Sequence, residues 1–360
     1  MNVTLKDVAK NAGVSIHTVS DILNGGDQRY SERTQRKVQE AAQRLNYRPN
    51  RQARILRGAK SGLIGMLKPV SVIQTSAEGA LYAAEAIHQE GDHDLIAFDV
   101  HWHQQGLARA VDYLLASRVE GVLLASLDGA EPLIGEAIRR LKAAGIPLVS
   151  LGGTREPGIP WIGTDYFHGG RLLGEHLLSQ GRRKVAFLTG SHYLRFASVT
   201  KRLDGLKSSF EEAGLPVETV LGGAPREPDD AVSLKNFTSG DLAFRELLAR
   251  HEAFDTAVCT NDYAALAVIR ACQDHGIPTP DGLAVTGFDD TAMGRFTTPR
   301  LTTVAQPIRE AAEKAVELLY AAMRGKPHPA DEPLELPCEL VVRESCGAQT
   351  TQKKEPLNVH

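Results

Sequence analysis

The first two dozen residues contain two short amphipathic segments around a tight turn, and this spacing limits the fold more than any other part of the chain. Thr4 stands where a helix would begin, and Asp7 follows three residues later, as in a capping box. Gly13 supplies the turn, because a side chain there would crowd the second segment. Ser15 is a favoured first residue for that segment, which runs to about Leu23. The pattern predicts a helix-turn-helix.

Charge is divided unevenly along the chain. Residues 1–60 contain 12 Lys and Arg against 5 Asp and Glu, a net charge of +7. The whole chain carries −3, so the remaining 300 residues carry −10. A basic head on an acidic body is typical of a phosphate-binding module joined to a soluble receptor. Since capped helix pairs are common, this charge difference is what favours a DNA-binding head.

Two further helical segments follow the pair. Ser31 is a favoured cap for the third helix, which ends before Pro49 because proline restricts the residue that precedes it. Asn50 then precedes a segment at 51–57 that is too short to be a stable helix in isolation. Arginines surround the apolar Leu56 in this segment, a composition that suits folding on DNA and inserting into its minor groove.

Beyond residue 60, apolar runs typical of strands alternate with amphipathic segments. The strand candidates are 63–67, 95–98, 121–124 and 147–151 in a first series, and 184–188, 257–260 and 283–288 in a second. Continuous apolar strands between helices indicate parallel sheets covered on both faces, and the length favours two lobes. Ligands of such sheets bind at the carboxyl ends of the strands, here in the cleft between lobes. The predicted fold class is α/β, with a helix-turn-helix head.

These motifs in combination resemble the lactose-repressor (LacI/GalR) family of bacterial transcription regulators, from about residue 3 to about residue 346. The matching segments are 3–9, 12–15, 18–20, 47–50, 202–205, 261–262, 287–290, 301–304, 306–307 and 339–345. The resemblance implies a two-lobed, periplasmic-binding-protein-like body. It also implies a homodimer whose heads read a pseudo-palindromic operator in double-stranded DNA. The helix after Ser15 would enter the major groove, and the hinge helix near 50–57 the minor groove, with Leu56 wedged between base pairs.

Sequence specificity is expected from the exposed face of this recognition helix, chiefly from Ile16, His17 and Asp21. The position of Asp21 is often Arg in the family; an Asp can accept a hydrogen bond from cytosine N4 or can merely orient a neighbouring Arg. Ile16 can pack on a thymine methyl group or contribute to the core. The predicted DNA-binding residues are Thr4, Ser15, Ile16, His17, Thr18, Ser20, Asp21, Asn24, Arg29, Tyr47, Asn50, Arg51, Ala53, Arg54 and Leu56.

Polar side chains follow the predicted strands of the second lobe. Asp289 and Asn261 come directly after strand candidates, and Arg202 is predicted near the start of a helix. Such side chains suit hydroxyl-rich ligands such as a sugar or a sugar derivative, because each can bond two neighbouring oxygens. Asn261, Asp262 and Asp290 can equally be helix caps. The predicted effector-binding residues are Lys68, His101, Asp165, Phe167, Arg195, Arg202, Asn261 and Asp289.

The charge of the effector stays open at this point. Lys68 and His101, with His192, Arg195 and Arg202 of the other lobe, can form a cationic pocket for an anionic effector such as a sugar acid. In the alternative interpretation, Lys68 and the histidines are solvated residues at the rim. A ligand that closes the cleft is expected to change the spacing of the hinge helices, and so to release the operator or to favour it.

The sequence disfavours an enzyme. It has no Gly-x-Gly-x-x-Gly turn after a strand, no phosphate loop and no His-Glu pair at zinc spacing. The four cysteines have no metal-binding spacing and fit free thiols in a reducing compartment, so neither a metal nor another cofactor is predicted. No signal peptide or apolar span is present. A cytoplasmic protein is therefore expected, and a stand-alone sugar-binding receptor is the second interpretation.

The expected organisation is a head at 1–48, a hinge helix and linker at 49–61, a ligand-binding and dimerisation domain at 62–345, and a polar, disordered tail at 346–360. Within the domain, lobe 1 is assigned to about 62–163 and 291–325, and lobe 2 to about 164–290 and 326–345.

Overall fold

A computed structural model describes residues 3–23, 29–47, 60–69, 74–91, 93–100, 104–126, 131–153, 155–223, 232–250, 253–326 and 332–348. The chain divides into two compact units, a head at Met1–Ser61 and a body at Gly62–His360.

Three helices form the described head: α1 (Leu5–Ala12), α2 (Ile16–Leu23) and α3 (Glu32–Arg44). Their shared core is apolar, with Val8, Val19 and Val38 fully buried, one from each helix. The turn between α1 and α2 is made at Gly13, whose φ of 68° is a conformation that glycine adopts without strain. The expected helix pair is therefore present, and α3 closes its core.

Lobe 1 of the body is built on a six-stranded parallel sheet in the order β11-β5-β4-β3-β1-β2. Its strands are β1 (Leu63–Pro69), β2 (Asp94–Val100), β3 (Gly121–Ala125), β4 (Leu148–Leu151), β5 (Trp161–Thr164) and β11 (Leu334–Leu336). Its helices are α4 (Gln74–Glu90), α5 (Gln104–Ala116), α6 (Glu131–Ala143) and α11 (Ile308–Met323).

The alternation of side chains along β1 gives lobe 1 two apolar cores. Leu63 and Leu67 pack on one face of the sheet with Leu114 and Leu141, which belong to α5 and α6. Ile64 and Met66 pack on the opposite face with residues of α4 and α11. A central parallel strand covered on both faces is necessarily apolar throughout, which is why the sequence pattern at 63–67 is continuous.

Lobe 2 has a four-stranded parallel sheet in the order β7-β6-β8-β9 and an antiparallel pair, β10-β12. The strands are β6 (Val185–Gly190), β7 (Val217–Gly222), β8 (Thr256–Cys259), β9 (Ala284–Thr286), β10 (Thr303–Ala305) and β12 (Glu339–Val341). The helices are α7 (Tyr166–Ser179), α8 (Ala197–Glu212), α9 (Val232–Ala249) and α10 (Asp262–Asp274). Helices α7 and α8 cover one face of the sheet, and α9 and α10 the other.

The lobe boundaries after residue 290 differ from the expected ones. Residues 291–305 were assigned to lobe 1, but β10 pairs with β12, and Leu301 and Val304 pack in the cores of lobe 2. Residues 326–345 were assigned to lobe 2, but β11 extends the sheet of lobe 1 beside β5. The lobe boundaries depend on which strands pair with each other. The three-residue strands β10, β11 and β12 are too short for their sequence to indicate their partners.

The expected tail begins too early. Cys346 is fully buried in a core of lobe 2, and its carbonyl oxygen accepts a hydrogen bond from Arg182 (Nη2 to O, 3.1 Å). Residue 346 therefore belongs to the folded lobe. The rest of the expected tail, from residue 349 onward, lies outside the described residues.

Candidate functional site

The recognition helix α2 buries Val19 and Ile22 and leaves the opposite face open. Ile16 is 43% exposed, and the His17 side chain is 80% exposed. Thr18 and Ser20 are half-buried, as is Tyr47 after α3, while Arg29 is exposed. Six predicted DNA-binding residues lie outside the described parts of the chain: Asn24, Asn50, Arg51, Ala53, Arg54 and Leu56.

Two of the predicted DNA-binding hydroxyl residues take part in helix capping. Thr4 donates to Asp7 Oδ2 from its backbone nitrogen (2.8 Å) and from Oγ1 (2.7 Å), which also lowers the pKa of the Asp7 carboxyl. Ser15 Oγ accepts a hydrogen bond from the backbone nitrogen of Thr18 at 3.0 Å. These bonds satisfy donors that every helix start leaves unpaired.

Asp21 is held by its neighbours in the head. Tyr30 donates its phenolic O–H to Asp21 Oδ2 at 2.9 Å, and His17 Nδ1 lies 3.3 Å from the same oxygen. The hydrogen bond to Asp21 is the main cause of a raised pKa of Tyr30. Only 25% of the Asp21 side chain is exposed. The carboxylate is therefore already engaged before any DNA is bound.

The second candidate site is a cavity of about 280 Å³ between the two lobes of the body. Lobe 2 contributes Arg202, Asn261 and Asp289, three of the predicted effector-binding residues. Lobe 1 contributes an apolar wall that includes Met66 and Leu151. The cavity therefore has one polar wall with charged groups and one largely apolar wall.

Arg202 is the most constrained side chain of the polar wall. It lies well inside α8, which begins at Ala197, rather than near the start of a helix as expected. Its guanidinium carbon lies 3.8 Å from the ring centre of Phe288 and 4.8 Å from that of Tyr166. Nη1 donates to the carbonyl oxygen of Thr260 at 2.8 Å, while Nε is buried without a hydrogen-bond partner among the described residues. The ring contacts and the bond to Thr260 thus hold the guanidinium in place.

Asp289 and Asn261 lie beside Arg202 at the ends of their strands. Asp289 adopts a positive φ of 116°, and its Oδ1 accepts a hydrogen bond from Gln306 Nε2 at 2.6 Å. Burial raises the pKa of Asp289, and the nearby Arg202 opposes that shift. Asn261 lines the cavity and also caps α10, accepting from the backbone nitrogen of Ala264 at 2.9 Å. The capping interpretation of Asn261 is therefore confirmed, and its contact with a ligand stays a prediction.

Four other predicted effector-binding residues are described by the structure and are not among the residues that line the cavity. Lys68 pairs with Asp99, its register partner on β2, and Arg195 stacks on Phe196 at 4.9 Å. Asp165 caps α7 through the backbone nitrogen of His168 at 2.9 Å, and Phe167 is 41% exposed. His101 lies outside the described residues. Among the described lining residues, Arg202 is the one positive charge.

The sequence analysis missed several cavity residues. Tyr193 lies in a short 3-10 helix and Phe196 follows that helix, while Thr75, Ser76 and Ser126 come from lobe 1. Short polar residues in loops carry no signal that separates them from ordinary turns. Gln306 had a signal, since it stands in a motif that matched the family, but its partner Asp289 is 17 positions away.

Several side-chain contacts among the described residues join the two lobes around the cavity. Gln74 Oε1 accepts from the backbone nitrogen of Ala292 at 3.0 Å. Thr164 Oγ1 donates to Gln306 Oε1 at 3.1 Å, and Lys201 Nζ lies 3.0 Å from Glu335 Oε1. The lobes are therefore in direct contact beside the cavity through these pairs of residues.

The described residues contain no group of three or more His, Cys, Asp or Glu side chains placed to hold a metal ion. Among the helices in that same part of the chain, none has the length and apolar character needed to cross a membrane.

Each of the two units of the chain matches a known protein family. Residues 4–50 match the domain described as "Bacterial regulatory proteins, lacI family", and residues 175–346 match a "Periplasmic binding protein-like domain". The sequence is 31% identical to the HTH-type transcriptional regulator DegA of Bacillus subtilis (strain 168) over 361 residues, covering 98% of this chain and 100% of DegA.

Solved structures agree with the sequence comparison. The lac repressor dimer bound to operator and the anti-inducer ONPF superimposes with a TM-score of 0.79 at 28% identity, over 97% of this chain and 100% of that chain. A complex of the transcriptional regulator CelR with cellobiose gives a TM-score of 0.65 at 27% identity, over 96% of this chain and 100% of that chain. The protein belongs to the lacI family of bacterial regulatory proteins, which are transcriptional regulators and not enzymes.

Proposed function

We propose that this regulator acts in the cytoplasm as a homodimeric repressor on a pseudo-palindromic operator. The observation that carries the proposal is the exposed face of α2, with Ile16 and His17 open on a head whose first 60 residues have a net charge of +7. That charge supplies affinity for phosphates, and the side chains of α2 supply base contacts in the major groove. The hinge segment at 51–57, with Leu56, is expected to insert into the minor groove.

The effector is a small sugar-like molecule bound in the cavity between the lobes. The cavity has a volume of about 280 Å³, close to the smallest volumes of ligand pockets in proteins, which are roughly 300 Å³. Arg202 lines the cavity and donates to a ligand oxygen, and the Asp289 carboxylate accepts from a ligand hydroxyl. Because these two groups carry opposite charges, the described wall favours a neutral polyhydroxylated ligand over an anion. Roles for Lys68, His101, Asp165, Phe167 and Arg195 stay predictions.

Effector binding controls operator affinity through the arrangement of the lobes. A ligand that contacts both walls stabilises one relative position of the lobes, and the dimer transmits this to the spacing of its heads. A coupling free energy of about 1–3 kcal/mol is typical of such allostery. The relatives' complexes with an operator and anti-inducer, and with cellobiose, support this division of labour.

Operator selection from random DNA with the full-length protein tests the proposal. The selection is repeated with pools of neutral sugars and, separately, of sugar acids. We expect one enriched palindromic site, whose recovery is lost or gained with a neutral pool. A site that responds only to the acids would overturn the neutral class of effector. A protein that binds sugars but enriches no site would be the stand-alone receptor of the second interpretation.

A further inference from the structure

His17 and Asp21 are neighbours one turn apart on α2, and they differ sharply in exposure. The His17 side chain is 80% exposed, whereas the Asp21 side chain is 25% exposed. Asp21 Oδ2 receives the Tyr30 O–H at 2.9 Å and lies 3.3 Å from His17 Nδ1. One carboxylate oxygen thus links the recognition helix to a residue that precedes α3.

The contact with Asp21 bears on which ring nitrogen of His17 is free. A carboxylate oxygen is a hydrogen-bond acceptor, so Asp21 favours the tautomer of His17 that carries its proton on Nδ1. The second ring nitrogen, Nε2, is then the polar atom of His17 that remains for a base edge. Tyr30 restrains the carboxylate in turn, since its O–H binds the same oxygen. An unrestrained exposed side chain loses conformational entropy when it binds. Because Asp21 restrains His17 before binding, the entropy cost of contacting a base is smaller.

We propose that Asp21 is a positioning residue that orients His17 with the help of Tyr30, and that His17, not Asp21, reads one base pair of each operator half-site. This inference rests on the proposed function. A carboxylate inserted among phosphates costs affinity. Asp21 instead accepts from Tyr30, lies against His17 and is mostly buried. Direct contact of Asp21 with cytosine N4 is the competing arrangement.

The test is operator selection with single and double variants of these residues. His17→Ala and Asp21→Ala should relax preference at the same base-pair position, each by about two- to tenfold, as expected for loss of one hydrogen bond. The double variant should be no worse than His17→Ala, because coupled residues are not additive. Tyr30→Phe keeps the ring and should relax the same position by less.

Two further comparisons separate positioning from structure. Asp21→Asn retains a carbonyl oxygen that can accept from Tyr30 or His17, so it should recover part of the preference that Asp21→Ala loses. His17→Ala changes a mostly exposed side chain, so circular dichroism of the head should match wild type even if Asp21→Ala is destabilised. In that case Tyr30→Phe and His17→Ala carry the test.

Relaxation at different base pairs in His17→Ala and Asp21→Ala would overturn the inference and assign Asp21 to its own base. Unchanged preference in both Asp21→Ala and Tyr30→Phe, with a loss in His17→Ala, would also overturn it. If wild type enriches a palindrome, these outcomes count against the inference alone. If wild type enriches none, the proposed function fails and the inference fails with it.

Discussion

The guanidinium of Arg202 lies 3.7 Å from the carboxylate of Asp289 (Nη2 to Oδ1), with side-chain exposures of 10% and 5%. This separation is longer than a direct hydrogen bond. Each group is anchored separately, Arg202 by the carbonyl of Thr260 and Asp289 by the amide of Gln306. One ligand hydroxyl can therefore accept from Arg202 and donate to Asp289 without either side chain moving.

Replacing Arg202 with Ala should abolish the response to effector and leave operator binding without effector unchanged. The substitution removes a donor and leaves Asp289 buried without its positive neighbour, so the pKa of Asp289, already raised by burial, should rise further. Breaking a buried pair in this way costs about 3 kcal/mol of stability. Titration calorimetry with the active sugar pool, and operator binding with and without it, measure the two effects.

Arg270→Ala on α10 is the matched control. The Arg270 side chain is 73% exposed and pairs with Asp274 one turn away on the same helix. Exposed pairs of this kind contribute little, so stability and effector response should equal those of wild type. An intact effector response in Arg202→Ala would remove this cavity from the regulatory mechanism.

Gln74→Ala should weaken effector binding without touching the polar wall. Gln74 of lobe 1 accepts from the backbone nitrogen of Ala292 of lobe 2, and this exposed bond is present only while the lobes are together. A neutral hydrogen bond contributes about 0.5–1.5 kcal/mol, so effector affinity should fall about two- to tenfold as the open arrangement gains population. Small-angle X-ray scattering without effector should show a larger radius of gyration.

Gln273→Ala gives the comparison for Gln74. Gln273 donates to the carbonyl oxygen of Thr298 at 2.9 Å, and both residues belong to lobe 2. The Gln273→Ala substitution also removes one hydrogen bond, but that bond does not join the lobes. Effector affinity and the radius of gyration should therefore equal those of wild type. Equal effector affinities in Gln74→Ala and wild type would mean that the contact of Gln74 with Ala292 does not contribute to closure.

The sequence predicts those parts of the fold that depend on local chemistry. Ser15 and Gly13 identify the helix-turn-helix because capping and a positive φ act over a few residues. Continuous apolar strands such as β1 are equally visible, because both faces of each are buried. Strand β7 escaped detection because it lies at the edge of its sheet and mixes exposed and buried positions.

The site was harder to predict because its geometry depends on distant pairing. Lys68 was assigned to the effector, but the register of β1 with β2 places Asp99 beside it and binds its charge. Arg202 and Asp289 were both proposed as ligand contacts, yet nothing in the pattern indicated that they face each other. The sequence left two roles for Asp21, contact with a base or orientation of a neighbour. It gave no indication that Tyr30 donates a hydrogen bond to Asp21.

Stability should fall as pH rises through the neutral range because of Asp262. Burial, and then the charge of Asp289, raise the pKa of Asp262 from 3.8 to about 8, against the opposing hydrogen bonds from Thr303 and Thr291. Between these two values the unfolded chain has lost the proton and the folded chain retains it. Folding therefore takes up a proton, and the contribution of Asp262 to the free energy of unfolding decreases from about pH 4 to about pH 8 and then levels off.

Asp262→Asn tests this dependence. An Asn can accept from Thr291 and donate to Thr303 Oγ1, replacing the bonds that Asp262 makes. It does not titrate, so chemical denaturation should give similar stability at pH 5 and higher stability than wild type at pH 8.5. Asp281→Asn, at an exposed position, should leave the profile unchanged. Parallel profiles for wild type and Asp262→Asn would show that Asp262 stays ionised in the folded state.

Gly205→Ala should destabilise lobe 2 and displace Arg202, because α7 and α8 meet backbone to backbone. A Cβ on Gly205 would lie 2.0 Å from the carbonyl oxygen of Phe167, and one on Gly170 would lie 2.1 Å from that of Arg202. Neither carbonyl can turn away without breaking its helix, so the helices must separate. Overpacking of this kind costs about 1–3 kcal/mol, and the shift of α8 should also weaken effector binding.

The matched substitution is Gly135→Ala in α6, which should have the opposite sign. The nearest atom to a Cβ at Gly135 is the flexible guanidinium nitrogen Nη1 of Arg139, at 3.7 Å. An interior helix position favours Ala over Gly by roughly 0.5–1 kcal/mol, so Gly135→Ala should raise the melting temperature and leave effector affinity unchanged. If Gly205→Ala instead keeps wild-type stability and effector affinity, the close approach of α7 and α8 does not set the position of Arg202. The rings of Phe288 and Tyr166 and the carbonyl of Thr260 must then hold it.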